Sequence, residues 1–210
     1  MYATVADLRG EGVTADQASD ARLEALLSNA TAEIDRATGW FFEPRDAVFV
    51  LDGRGTPSLE LPAPAIRIDR LELGGSDVTA SLSALVVVGA PVGPGFDAPR
   101  LTWRCGRFPR GSGNVVVAGR FGFTEPDGTP EGRTPPAIRR ACVLLVLRGL
   151  DALGGEAGFD ARNRWRIVEE RTRDQSYKLA DPGGSTGPFG DPEIDLALLR
   201  YRRPAPLGAA

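Results

Sequence analysis

Three pairs of carboxylates lie close enough in the chain to share acid–base work: Asp16 with Asp20, Glu33 with Asp35, and Glu169 with Glu170. Such a pair needs one carboxyl kept neutral and one charged, which takes an apolar or buried setting. Each pair here lies in a polar helical or arm-like stretch, where carboxylates are solvated. There is no histidine, so the commonest general base and metal ligand is absent. Asp127-Gly128 with Asp174 offers oxygen ligands for a hard cation, but at a spacing that fits no standard loop. Val88 to Gly95 is glycine-rich, yet its prolines remove amides that would cradle a phosphate, and no Gly-Lys-Ser/Thr follows. Gly111-Ser112-Gly113 is too short for a nucleophile elbow. The two cysteines, Cys105 and Cys142, form neither a disulfide framework nor a zinc motif. Both read as free thiols of a cytosolic protein. No catalytic residue, metal or cofactor is expected, and a carboxylate hydrolase is the weakest reading.

The elements that would carry these residues begin with helices. Thr4 is placed to cap a short turn from Val5 to Arg9, and Thr14 with Gln17 fits a capping box. Leu23, Leu26, Leu27, Ala30, Ile34 and Ala37 recur at three and four, one buried helix face, and Gly39 stands where a C-terminal cap belongs. Trp40, Phe41 and Phe42 follow as core aromatics. From 47 to 124, short apolar runs alternate with turn signals about every ten residues, the pattern of a small antiparallel β module. Val115, Val117, Phe121 and Phe123 share one parity and so one strand face. Apolar parity in Ile66–Leu73 switches at Asp69-Arg70, which predicts a bulge. Thr134-Pro135 restarts a helix that runs to about Leu153 and is apolar on nearly every side, hence buried on more than one face.

The last third of the chain is different. Residues 161–180 form an arginine-rich arm whose Arg164, Arg166, Arg171, Arg173 and Lys178, with Arg162, are candidates for contact with an acidic surface or DNA phosphate. Lys178 is the only lysine. Residues 181–190 read as a flexible Gly/Pro tether. Asp191 to Arg203 reads as a helix of about three turns, too short to be stable alone in water. Ile194, Leu198 and Tyr201 share a face there, flanked by Leu196 and Leu199, with Arg200, Arg202 and Arg203 at the C-terminal end. The expectation is a docking helix that meets another copy or a partner.

Charge divides the 210 residues. Residues 1–99 hold 7 basic and 15 acidic side chains, and residues 100–210 hold 18 and 13, for a net −3. That total is too small to mark a general nucleic-acid or membrane binder. The opening residues lack the basic and apolar regions of a signal peptide, and Ala141–Leu147 is far shorter than the roughly 20 apolar residues of a membrane span.

Four stretches, in this order and spacing, resemble the head–tail connector (adaptor, or head-completion) proteins of long-tailed bacteriophages and of phage-derived gene transfer agents. They are Tyr2-Ala-Thr-Val-Ala-Asp-Leu-Arg9 leading to Ala30–Gly39; Trp40–Arg45 with Leu51–Gly55; Thr124–Pro130 with Thr134–Ala141; and Gly190–Asp195 with Arg200–Arg203. The resemblance spans most of the chain. It implies a virion protein, made in the bacterial host cytoplasm, that forms a closed cyclic ring of about twelve copies on the portal. The ring would continue the channel for double-stranded DNA and present a face to a tail-side stopper or terminator protein. It also implies that Asp191–Arg203 is the segment that reaches the portal, with Ile194, Leu198, Leu199, Tyr201, Arg202 and Arg203 as docking residues. An acidic lumen supplied by the first half of the chain would let DNA slide.

The expected fold is α+β: a helical connector core of residues 1–46 and 125–160, an inserted antiparallel β module at 47–124, the basic arm at 161–180, the linker at 181–190 and the docking helix and tail at 191–210. The rival expectation is a binding protein without catalysis, using the β module and Trp103 for a carbohydrate or protein ligand.

Overall fold

The computed structural model describes residues 1–88, 98–151, 167–171, 176–179 and 188–203. Outside these lie residues 89–97, the expected helix end at Leu153, most of the expected arm, residues 181–187 of the expected tether and residues 204–210. The fold is α+β, and the chain divides into two compact units: residues 1–38 with 136–201, and residues 39–135 with 202–210.

The first unit is helical. Thr4 caps α1 (Val5–Gly10): its Oγ1 accepts from the Asp7 amide at 3.3 Å, and the Asp7 carboxylate accepts from the Thr4 amide at 2.8 Å. The reciprocal bonds satisfy two amides that a helix start leaves unpaired. α2 (Asp20–Thr38) buries Leu23, Leu27, Ala30, Thr31, Ile34 and Thr38 along one face, and Gly39 follows at φ 75°, the left-handed turn that glycine makes without strain. The Thr14–Gln17 pair does not open α2. The Thr14 amide donates to Gln17 Oε1 at 2.8 Å and closes a separate turn. Burying both Val13 and Ala18 bends the chain through that turn before α2 can begin.

α3 (Pro136–Asp151) buries Ile138, Ala141, Cys142, Val143 and Val146. It packs against α1, α2 and α4 (Pro192–Leu199), which explains a helix apolar on several sides. Thr134 does not cap it; the Thr134 hydroxyl donates to the Phe42 carbonyl at 2.8 Å instead. β8 (Ile167–Arg171) and β9 (Ser176–Leu179) form a two-stranded antiparallel ribbon, with Glu169 opposite Lys178 and Arg171 opposite Ser176.

The second unit holds two antiparallel sheets around one core. The larger has strand order β1–β7–β3–β4, from β1 (Arg45–Gly53), β3 (Ala65–Leu73), β4 (Ser76–Asp77) and β7 (Gly111–Phe121). The smaller has order β2–β6–β5, from β2 (Ser58–Glu60), β5 (Leu85–Val88) and β6 (Arg100–Trp103). Leu59 and Leu101 of the small sheet join Leu71, Val115, Val117 and Phe121 of the large one, with Leu61 and Phe108, in the shared core. The alternation on β7 is the one its sequence parity predicts. The register shift on β3 between Ile68 and Arg70 is the bulge at the parity switch. The unit also takes in residues 39–46 and 125–135, beyond the expected 47–124. Trp40, Phe42 and Phe123 form a buried aromatic cluster there, with the Trp40 and Phe42 centroids 6.3 and 5.4 Å from that of Phe123.

Candidate functional site

Two carboxylates of the candidate pairs are held by other side chains. Asp20 pairs with Arg9 at 2.5 Å, and Asp35 accepts from the Tyr2 hydroxyl. Asp127 holds the Thr129 amide and hydroxyl at 2.8 and 2.6 Å in a tight turn; Asp174 lies outside the described residues. Among the described residues no cluster of three or more His, Cys, Asp or Glu could hold a metal ion, and no helix is long and apolar enough to cross a membrane. Cys142 is buried, which pushes its thiol pKa up to about 11, while Cys105 is exposed. Trp103 is half-buried, its ring 5.8 Å from Phe108 and over Gly106, so it packs against the β core.

The C-terminal helix is built as its residues predict, over fewer positions. Asp191 Oδ1 accepts from the Glu193 and Ile194 amides at 2.7 and 3.3 Å, and Pro192 fills the first turn. Asp195 reaches back to the Asp191 and Phe189 amides at 2.9 and 3.0 Å. The helix ends at Leu199, with Arg200 as the cap.

Its apolar stripe points the other way from expectation. Ile194 and Leu198 are 0 % and 3 % exposed in the helical unit's own core. The expectation that they meet a partner is therefore corrected: burial against α2 and α3 supplies the tertiary contact that so short a helix lacks alone. Arg148 of α3 pairs with the buried Asp191 at the N-cap, and Arg140 lies 3.6 Å from Glu193. Burial lowers the Arg148 pKa, and the carboxylates of Glu193 and Asp195 oppose that shift. What α4 leaves exposed is Leu199 together with Leu196, 63 % and 58 %. Leu196 was legible only as a flanking residue, because one helical turn does not reveal which side the core takes.

Tyr201 is half-buried and Arg202 exposed. Arg203 belongs to the β unit. Its guanidinium lies 5.0 Å from the Trp40 ring centre and donates to the Pro62 carbonyl at 3.2 Å, with Glu60 at 3.5 Å. Of the arm residues, Arg164, Arg166 and Arg173, with Arg162, lie outside the described residues. Arg171 and Lys178 are placed as register positions on β8 and β9.

No protein-family model matches the chain, and no curated protein matches it. Solved structures do. A chain from the neck of an empty GTA particle, computed with C6 symmetry, aligns over 99% of this chain and 92% of its own, at 20% identity and TM-score 0.53. The chain shares its fold with a gene transfer agent neck chain. A chain from the neck of the native GTA particle, computed with C12 symmetry, aligns over 97% and 90% at 20% identity and TM-score 0.51. One from the virion of a native gene transfer agent particle aligns over 91% and 81%, again at 20% identity, with TM-score 0.50.

Proposed function

We propose that this chain is a structural protein of a virion neck that joins head to tail without catalysis. Copies form a cyclic ring of about twelve on the portal, the ring continues the channel for double-stranded DNA, and its far face receives the tail-side neck protein. The observation that carries the reading is the near end-to-end agreement of both units with neck chains of a gene transfer agent particle, one of them in a C12-symmetric neck. The order of the four sequence stretches described above supports the same assignment.

In this reading α4 is a rigid display element. Ile194 and Leu198 hold it, and Leu196, Leu199, Tyr201 and Arg202 face the portal, with Arg203 tying the chain end to Trp40. Each contact is weak, and a ring of them on a ring of sites gains avidity. The basic residues Arg164, Arg166, Arg171, Arg173 and Lys178 serve as assembly contacts, and the acidic first half lines the DNA path.

The test is add-back of purified chain to DNA-filled, tail-less capsids that carry the portal, scored by cryo-EM. A new ring at the portal vertex is the expected outcome. Folded protein that leaves the vertex bare would overturn the reading.

A further inference from the structure

Two loops of the β unit meet: residues 54–57, which follow β1, and residues 104–110, which join β6 to β7. The Gly55 amide donates to the Phe108 carbonyl at 3.0 Å, and the Phe108 amide donates to the Thr56 carbonyl at 2.9 Å. The Asn114 side chain spans the same junction, accepting from the Gly53 amide at 2.9 Å and donating to the Pro109 carbonyl at 2.8 Å. Gly53 lies so close to that carbonyl that no Cβ fits there. The loops are thus fixed through their main chain. Arg54, Arg104, Arg107 and Arg110 stand exposed on them. Arg54 and Arg110 line one cavity of about 580 Å³ with Gly53, Gly111 and Ser112.

These arginines differ from others of the same unit. Arg45, Arg67, Arg70 and Arg203 lie against Glu43, Asp69, Glu72 and Glu60, and Arg120 lies against both Asp46 and Glu131. Among the described residues Arg54, Arg104, Arg107 and Arg110 make no ion pair and no side-chain hydrogen bond. Residues 98–117 contain no Asp or Glu. Asp52, two positions before Arg54 and acted on by its charge, already accepts from the Ser112 hydroxyl at 3.0 Å and the Gly113 amide at 2.6 Å. Like charges grouped without counter-charge favour an anionic partner.

The surface also selects the anion. A protein contact is built around apolar anchors, and none of the large apolar side chains exposed among the described residues lies in either loop. A single nucleic-acid strand needs exposed aromatic rings to stack on. Here Phe108 is buried, and Trp103 packs on Phe108 and Gly106. What remains is guanidinium and main chain, the groups that meet phosphate oxygens. We infer that Arg54, Arg104, Arg107 and Arg110 bind the phosphate backbone of double-stranded DNA without reading its sequence. The binding is argued from this unit alone. That the duplex is the one crossing the neck rests on the ring reading above, in which every copy adds the same weak grip.

The test is fluorescence anisotropy of a short labelled DNA duplex with the full chain, repeated between about 50 and 200 mM salt. Log affinity should fall against log salt with a slope of about 3 or more, close to one for each phosphate met. Arg54→Gln with Arg110→Gln should keep the circular dichroism spectrum, weaken binding roughly tenfold or more and cut the slope by about 2. Arg22→Gln with Arg36→Gln removes the same charge from α2 and should leave the slope unchanged. If the first variant loses its fold, Arg104→Gln with Arg107→Gln takes its place. A slope that falls no further for the loop variant than for the α2 variant overturns the inference, as does tighter binding of a single strand than of the duplex. A loop variant that binds duplex normally yet fails to add to portal-bearing capsids assigns the arginines to a protein partner and overturns it too. Arginine-dependent duplex binding by a chain that adds no ring to capsids keeps this contact and overturns the neck reading.

Discussion

Arg148, in the last turn of α3, is ion-paired with Asp191, the N-cap of α4. Asp191 is 2 % exposed. The pair links the carboxylate that starts one helix to the end of another, so the last helix is held by charge as well as by Ile194 and Leu198.

Removing the arginine strands a buried carboxylate. Arg148→Met should lower stability by about 1–3 kcal/mol, the cost of a buried group left unsatisfied and below the about 3–5 kcal/mol of a fully buried broken pair, because Arg148 is a third exposed. Urea unfolding followed by tryptophan fluorescence measures it. Adding Asp191→Asn should recover part of the loss. An unchanged midpoint would mean that the helix is not latched.

The two faces of α4 should separate fold from function. Ile194→Ala and Leu198→Ala each remove buried side chains and should cost about 2–5 kcal/mol. Leu196→Ala and Leu199→Ala should stay within about 0.5 kcal/mol. Leu196→Glu with Leu199→Glu should fold normally yet fail to add to portal-bearing capsids. Wild-type addition by that variant would remove α4 from the portal contact.

Gly119 marks a close strand-to-strand approach in the large sheet. A Cβ there would lie 2.2 Å from the Arg67 carbonyl oxygen and 2.9 Å from the Ile68 Cα, backbone atoms that cannot swing aside. Gly119→Ala should part β3 from β7 and yield little soluble protein. Gly10→Ala meets nothing within 4 Å and should be neutral or stabilising by up to about 1 kcal/mol. Thermal melts of the two compare them directly.

Asp7 gives a pH test. The Arg139 guanidinium, with the amide and hydroxyl of Thr4, holds its carboxyl below the ordinary 3.8. A depressed folded-state pKa adds stability that is complete above the unfolded value and is lost as pH falls through the folded one. The wild type should therefore lose stability below about pH 4, and Asp7→Asn should lose less of it over the same interval. Parallel urea titrations at pH 7 and pH 3 would check this; equal losses would show that the pair is not formed in solution.

Much of this architecture is legible in the residues themselves. The Thr4 cap, the buried stripe of α2, the glycine turn at 39, the single-faced alternation of β7 and the bulge in β3 are local features. Each depends on periodicity or on one residue's backbone chemistry, and these are written in neighbouring positions. The same holds for the start of α4, where Asp191, Pro192 and Asp195 act within one turn.

Other features depended on what the chain meets at a distance. Thr134 has the chemistry of a cap, but the Phe42 carbonyl takes its hydroxyl. Thr14 and Gln17 have the spacing of a capping box, but the burial of Val13 and Ala18 makes their turn a separate one. The stripe of Ile194 and Leu198 is plain in the sequence; that its cover is α2 and α3 rather than a partner is not. An apolar periodicity states that a face must leave water, because the hydrophobic effect has no direction. Which surface receives it is set by contacts between residues far apart in the chain, and only the tertiary structure holds those.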